Sequence, residues 1–156
     1  MSRSAIVLGR LVAEFAKALL IAVLMVILGL IFGITIASGV LGFVLLVLLT
    51  ALWAVVFAGF MQLIALKTLS AAATNSGSLI FFPLLFLTPN FVPRNLLTRP
   101  MEIAATFNPV TYVMEALRSL ILQRAHWETI GLGYLVIAVA AAVMLAVSVR
   151  VVRTYD

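Results

Sequence analysis

Glu115 and Arg118 stand three residues apart in the stretch Asn108-Pro109-Val110-Thr111-Tyr112-Val113-Met114-Glu115-Ala116-Leu117-Arg118-Ser119-Leu120-Ile121-Leu122-Gln123-Arg124. On a helix that spacing lets the two charges pair. The pair either fixes a short helix in one pose or lines a polar path, or it is an interfacial salt bridge worth well under about 1 kcal/mol. Arg10, Glu14 and Lys17, at spacings of four and three, make a second charged face. That face suits either a partner protein or snorkelling among lipid headgroups. His126, the single histidine, has only Glu128 close by in sequence, which is too little for a metal site. The absence of cysteine excludes disulfides, thiolate metal sites and thiol nucleophiles. There is no nucleophile–base–acid set and no glycine-rich phosphate loop of the G-x-x-x-x-G-K-[ST] form. The sequence thus predicts no catalytic, cofactor-binding or metal-binding residue, and any ATP used must be hydrolysed on another chain.

The elements that carry these residues are membrane spans. The chain has 156 residues, 65% of them hydrophobic and 10% charged, with a mean hydropathy of +1.30. Soluble domains carry about a quarter charged residues, so lipid must solvate much of this surface. The net charge of +5 is scattered in ones and twos beside apolar runs, with no basic stripe, which argues against a nucleic-acid partner. The N-terminal stretch does not resemble a cleaved signal peptide. Its charged lead is long, contains Glu14 and Lys17, and precedes an apolar run far longer than an h-region.

Lys17 and Lys67 bracket a charge-free run that holds two helices of roughly 20 residues each and a turn at Thr35–Gly39. The spans fall over 17–36 and 41–66. A third, short span over 77–93 carries Pro83, Pro89 and Pro93, which either kink it for packing or open unwound backbone onto a cavity. A fourth occupies 130–149, between Glu128 and Arg150. The fold class is therefore all-α: a polytopic membrane protein with four transmembrane helices and a short external or re-entrant amphipathic helix within 94–128. Small-residue pairs such as Gly29/Gly33, Ala54/Ala58 and Ala138/Ala142 permit close helix approach. Gln62, inside the second span, suits an interhelical hydrogen bond.

Lys and Arg near the span ends set the orientation. Arg3, Arg10, Lys17, Lys67, Arg150 and Arg153 share one side if both termini are cytoplasmic, leaving Arg94, Arg99, Arg118 and Arg124 outside. Trp127, Tyr134 and Tyr155 fall where interface anchors do. In the opening stretch, Asn108 is a good N-cap and Pro109 fits the first helical position. Val110, Val113, Met114, Leu117, Leu120 and Ile121 form an apolar stripe, with Thr111, Glu115, Arg118 and Ser119 off it. If the segment spanned, Glu115 and Arg118 would each cost about 2.5–3.5 kcal/mol against about 0.3–0.6 gained per apolar side chain. At ~1.5 Å per residue it also reaches only about 24 Å. It is expected at the outer interface, or dipping partway in with its polar face against protein or water.

The basic lead Ser2–Leu11, two long spans and Phe81-Phe82-Pro83-Leu84-Leu85-Phe86-Leu87 running on to Phe91-Val92-Pro93 come first. Asn108-Pro109-Val110-Thr111-Tyr112, Glu115-Ala116-Leu117-Arg118 and a last span follow. This order resembles the membrane subunits of ABC-2 type exporters, particularly the daunorubicin-resistance-type permeases, over nearly the whole chain. The resemblance implies a plasma-membrane permease that forms a homo- or heterodimer in lipid and works with a separate ABC ATP-binding subunit. It would export drugs, lipids or glycans of hydrophobic or amphipathic character. It makes Asn108, Pro109, Tyr112, Glu115 and Arg118 the family's external helix motif, and Arg3 to Lys17 the tail of its ATPase-coupling segment. The chain corresponds to the family's third to sixth spans, as one partial transmembrane domain over 1–156 with the first two spans missing. A non-transporting scaffold subunit or an inactive truncated permease is the alternative.

Overall fold

Two glycines in the left-handed region turn the first helix back on itself. Helix α1 (Arg3–Ile31) stops where Gly33 takes φ 87°, and α2 (Gly39–Thr68) starts where Gly39 takes φ 65°. Gly33 N–H donates to the Leu30 carbonyl and Ile34 N–H to that of Gly29. This is the paired reverse bonding of a glycine-terminated helix, with Ile34 packed over Gly29 as its apolar contact. The computed structural model describes residues 3–68, 72, 76–77, 79, 81–88, 96–122 and 126–154. Its described helices are α1, α2, α3 (Phe81–Phe86), α4 (Arg99–Phe107), α5 (Pro109–Leu122) and α6 (Trp127–Thr154).

Among the described residues three helices, rather than four, are long and apolar enough to cross a membrane: Gly9–Ile31, Gly39–Ala65 and Trp127–Val147. The second and third of these lie close to the expected 41–66 and 130–149. The first is shifted from 17–36, because the charged lead is already helical from Arg3 and Gly33 stops the helix early.

The α1–α2 turn marks one end of the bundle, here the hairpin end, and Arg10, Lys67 and Arg150 mark the opposite, basic end. Helix α6 runs in the same direction as α2. The Tyr134 hydroxyl donates to the Leu45 carbonyl at 2.7 Å near the hairpin end, and Gly59 faces Met144 toward the basic end. Tyr134 is therefore a half-buried crosslink rather than an interface anchor, while Trp127 is exposed at the start of α6. Since α2 finishes at the basic end and α6 begins at the hairpin end, the chain between them has to cross the bundle once.

That crossing is made in pieces. The continuous span expected over 77–93 is represented among the described residues by α3, whose six residues reach only about 9 Å. Pro83 lies in α3, while Pro89, Pro93, Arg94 and Arg124 lie outside the described residues. The other piece is α5, anchored at the hairpin end by Ala37 N–H donating to the Ile121 carbonyl at 3.1 Å. From there its Val113 and Ala116 reach inward to pack with Leu49, Val56 and Ile137, while Leu120 meets Leu46 and Ile130. Of the two placements open to this helix, the structure takes the inward one: α5 enters beside α6 to about half its length.

Close approach makes this possible. A Cβ on Gly133 of α6 would sit 2.6 Å from the Ala116 Cβ and 3.1 Å from the Tyr112 carbonyl oxygen, so only glycine lets α5 lie this near. By contrast, a Cβ on Gly131 would meet nothing within 4 Å. Gly133→Ala is therefore expected to destabilise the purified protein by about 1–3 kcal/mol through overpacking, and Gly131→Ala to leave stability unchanged or slightly raised. Thermal unfolding of the two variants in detergent checks this; equal melting temperatures would contradict the α5–α6 packing.

Candidate functional site

The two halves of the broken crossing meet at Asn108. Its side-chain oxygen accepts from the Val110 N–H at 3.0 Å, so it is the N-cap that the sequence predicts, with Pro109 following in the first helical position. Its amide nitrogen turns the other way and donates to the Leu84 carbonyl at 2.6 Å and to the Thr88 hydroxyl at 2.8 Å. The Thr88 hydroxyl in turn donates to the same Leu84 carbonyl at 2.8 Å. Asn108 is 3% exposed and Thr88 4%. The backbone N–H of Asn108 also closes α4 by donating to the Ala105 carbonyl. One side chain thus joins the end of α3 to the beginning of α5.

Thr88 and Leu84 were not singled out by the sequence. The signal for them is nonetheless there. A helix broken near prolines leaves carbonyls without an N–H partner, and a threonine four residues on can reach back to one.

Around this joint, the Tyr112 hydroxyl donates to the Thr106 carbonyl at 2.9 Å, tying α5 to α4. Glu115 and Arg118 are half-buried, and each has an interaction partner. Thr111 and Ser119, off the apolar stripe by spacing, are both buried. Ser119 accepts from the His126 N–H at 3.1 Å, linking α5 to the residue before α6. The Thr111 hydroxyl, in a residue 0% exposed, has no hydrogen-bond partner among the described residues. Sequence spacing places Thr111 on the same helical strip as Glu115 and Arg118, so a polar stripe runs up α5 from the joint.

The second charged face lies at the basic end. Lys17 Nζ and Glu14 Oε2 pair at 2.8 Å, and Arg10 and Glu14 share a cleft with Gln62 of α2. Arg3 opens α1 on the same helix. The structure brings Arg10, Glu14 and Gln62 together but keeps them away from Glu115 and Arg118, which lie toward the hairpin end.

No group of three or more potential metal ligands occurs among the described residues. What the joint offers is mechanical: a backbone interruption whose polar groups are closed by one amide. Asn108→Ala would leave the Val110 N–H without its acceptor and remove one of the two donors to the Leu84 carbonyl, which keeps the Thr88 hydroxyl; the expected loss is about 1–3 kcal/mol. Asn108→Asp should be at least as damaging, because it keeps the cap but loses both donors. Thr111→Val keeps the shape and removes an unpartnered hydroxyl, so it is expected to be neutral or stabilising. Denaturation of the three variants in one detergent tests the set, and a stable Asn108→Asp would contradict the joint.

Residues 1–122 match the family of ABC-2 type transporters. No curated protein and no solved structure matches the chain. The family match takes in α1 to α5, and with them both the Asn108 joint and the basic-end face; the chain belongs to the ABC-2 type transporter family of membrane proteins.

Proposed function

We propose that the chain is a membrane-spanning permease subunit of an ABC-2 type exporter, of the daunorubicin-resistance type. It moves a hydrophobic or amphipathic molecule of the drug, lipid or glycan class outward. It is not itself an enzyme; a separate ABC subunit binds and hydrolyses the ATP. Family membership supports the permease role, and the lack of a phosphate-binding loop supports the division of labour.

The observation that carries the reading is the broken crossing. Transporters commonly build their moving parts from interrupted helices, because a short rigid half can tilt without unfolding a whole span. Here α5 is such a half, held by Asn108 at its inner end and by Ile121 at the hairpin end. Movement of α2 would reach α5 through Leu49 and Val56.

The excess of Lys and Arg at the basic end supports a cytoplasmic placement of both termini in the plasma membrane. Arg3, Arg10, Glu14 and Lys17 then face the ATPase side as the coupling face. Pairing with a second permease, identical or homologous, completes the path.

Co-expression with the ATP-binding subunit and measurement of ATP-dependent efflux of a cationic dye tests the proposal. Glu115→Ala combined with Arg118→Ala is expected to leave membrane insertion intact and to lower export by roughly tenfold, a coupling loss near 1.4 kcal/mol. Export unchanged at equal protein level would reduce that pair to an interfacial salt bridge. Failure to export with any ATP-binding partner would sink the exporter reading.

A further inference from the structure

Three hollows follow one another along the seam between α1 and α2. The first is the basic-end cleft of about 200 Å³ where Arg10, Glu14 and Gln62 meet. The second, about 300 Å³, lies over Ala18, Ala22 and Ala54. The third, about 170 Å³, shares Met25, Val26 and Leu46 with the second and continues to Ile34 at the hairpin turn. As α1 residue numbers rise through the three, α2 numbers fall, so the hollows follow one antiparallel seam, with Ile121 of α5 closing the third. The groove exists because alanines replace the larger side chains that would otherwise interdigitate there. Its one hydroxyl, on Thr50, donates to the Leu46 carbonyl of its own helix, so the upper walls present hydrocarbon.

The mouth differs in character. Lys17 neutralises Glu14 in a 2.8 Å pair, which leaves the Arg10 guanidinium as the uncompensated charge among the described residues that line the cleft. The Gln62 amide makes no hydrogen bond with the described residues. Among those residues, a cation and an amide without a partner thus open toward the apolar hollow above. From Arg10 to Ala22 the first two hollows rise about 18 Å along α1, close to the roughly 15 Å of one leaflet's hydrocarbon; the third hollow lies beyond, in the other half of the bilayer.

We propose that this groove is a specific site for one anionic phospholipid. Its phosphate is held by Arg10 and Gln62 at the basic end, and one acyl chain lies over Ala18, Ala22 and Ala54. The length of the first two hollows and the apolar walls of the second fit a single chain, and the mouth carries the charge that complements an anionic head. The site lies away from the Asn108 joint, and its occupancy does not depend on what the protein transports.

Native mass spectrometry of the full chain in mild detergent, with phosphatidylglycerol or phosphatidylcholine added, is the test. The wild type should retain phosphatidylglycerol through delipidation in preference to phosphatidylcholine. Arg10→Gln should lower that retention about tenfold, Arg10→Lys should largely preserve it, and Ala54→Leu, which fills the slot, should abolish it. Ala138→Leu, on an exposed face of α6, should leave it unchanged. Arg10 is exposed, so its variants report on the site even if Ala54→Leu fails to fold. Equal retention of both lipids by all variants would mean annular lipid only and overturn the proposal. Loss of self-association with unchanged lipid in Ala54→Leu would assign the groove to a second copy and overturn it as well.

Discussion

A backbone that breaks inside a bilayer has no water to complete its hydrogen bonds, and each unsatisfied group there costs several kcal/mol. The path from α2 to α6 is subject to that constraint. The chain must pass from the basic end to the hairpin end, and among the described residues it does so through two short helices. Asn108 makes the interruption tolerable. The end of α3 presents a carbonyl and the start of α5 presents N–H groups, the complementary orphan ends of two helices. An amide has donors on one side and an acceptor on the other, so a single asparagine matches both. Aspartate would repel the carbonyl, and serine is too short to reach both helices.

The rest of the packing follows from where that joint sits. Because α5 reaches inward, its apolar face must find protein, and it takes the surface of α2 and α6 around Leu49, Val56 and Ile137. Three helices then share one core, with Gly133 letting α5 and α6 approach. Helix α1 is left outside this core. It packs along α2 and leaves most of its apolar residues, Leu20, Leu24, Leu28 and Ile31 among them, open to lipid. Along most of α1 the described residues of the other helices stay off its outer face, which goes with the hollows along the α1–α2 seam; near the hairpin end Val26 packs toward Leu120 and Ile130.

Much of this was legible in the residues. Charge-free runs gave the second and last spans almost to their ends, because a charge at membrane depth is expensive and marks a boundary. Asn108 and Pro109 gave the start of α5, because capping is local chemistry. What failed was whatever depends on tertiary contact. The first span, expected over 17–36, instead covers Gly9–Ile31, because charges mark a boundary in sequence while the Glu14–Lys17 pair lets the apolar helix run through them. Spacing puts Thr111 and Ser119 off the apolar stripe, yet both are buried, since a helix that enters a bundle has its polar face covered too. Tyr134 reads from spacing as an interface anchor and proves to be a crosslink to Leu45. Uncharged length alone predicts a third span over 77–93; among its described residues the helix is α3, and Asn108 links its end to α5, a contact that uncharged length cannot show.

The charges on α5 can be understood by the same reasoning that first argued against its spanning. Glu115 and Arg118 exclude α5 as a lone transmembrane helix, since two charges outweigh the apolar side chains around them. That argument assumes lipid on every side. Helix α5 lies against α2 and α6, its inner end is capped by Asn108, and Glu115 and Arg118 are half-buried and each has an interaction partner. The cost is then lower than that of transfer into hydrocarbon alone. The charges also limit the helix from both directions. Deeper insertion would carry Arg118 toward the apolar middle, while withdrawal would pull Asn108 away from Leu84 and Thr88. Its position therefore follows from the joint below and the charges above, which is what a short half-helix needs to move as one rigid piece.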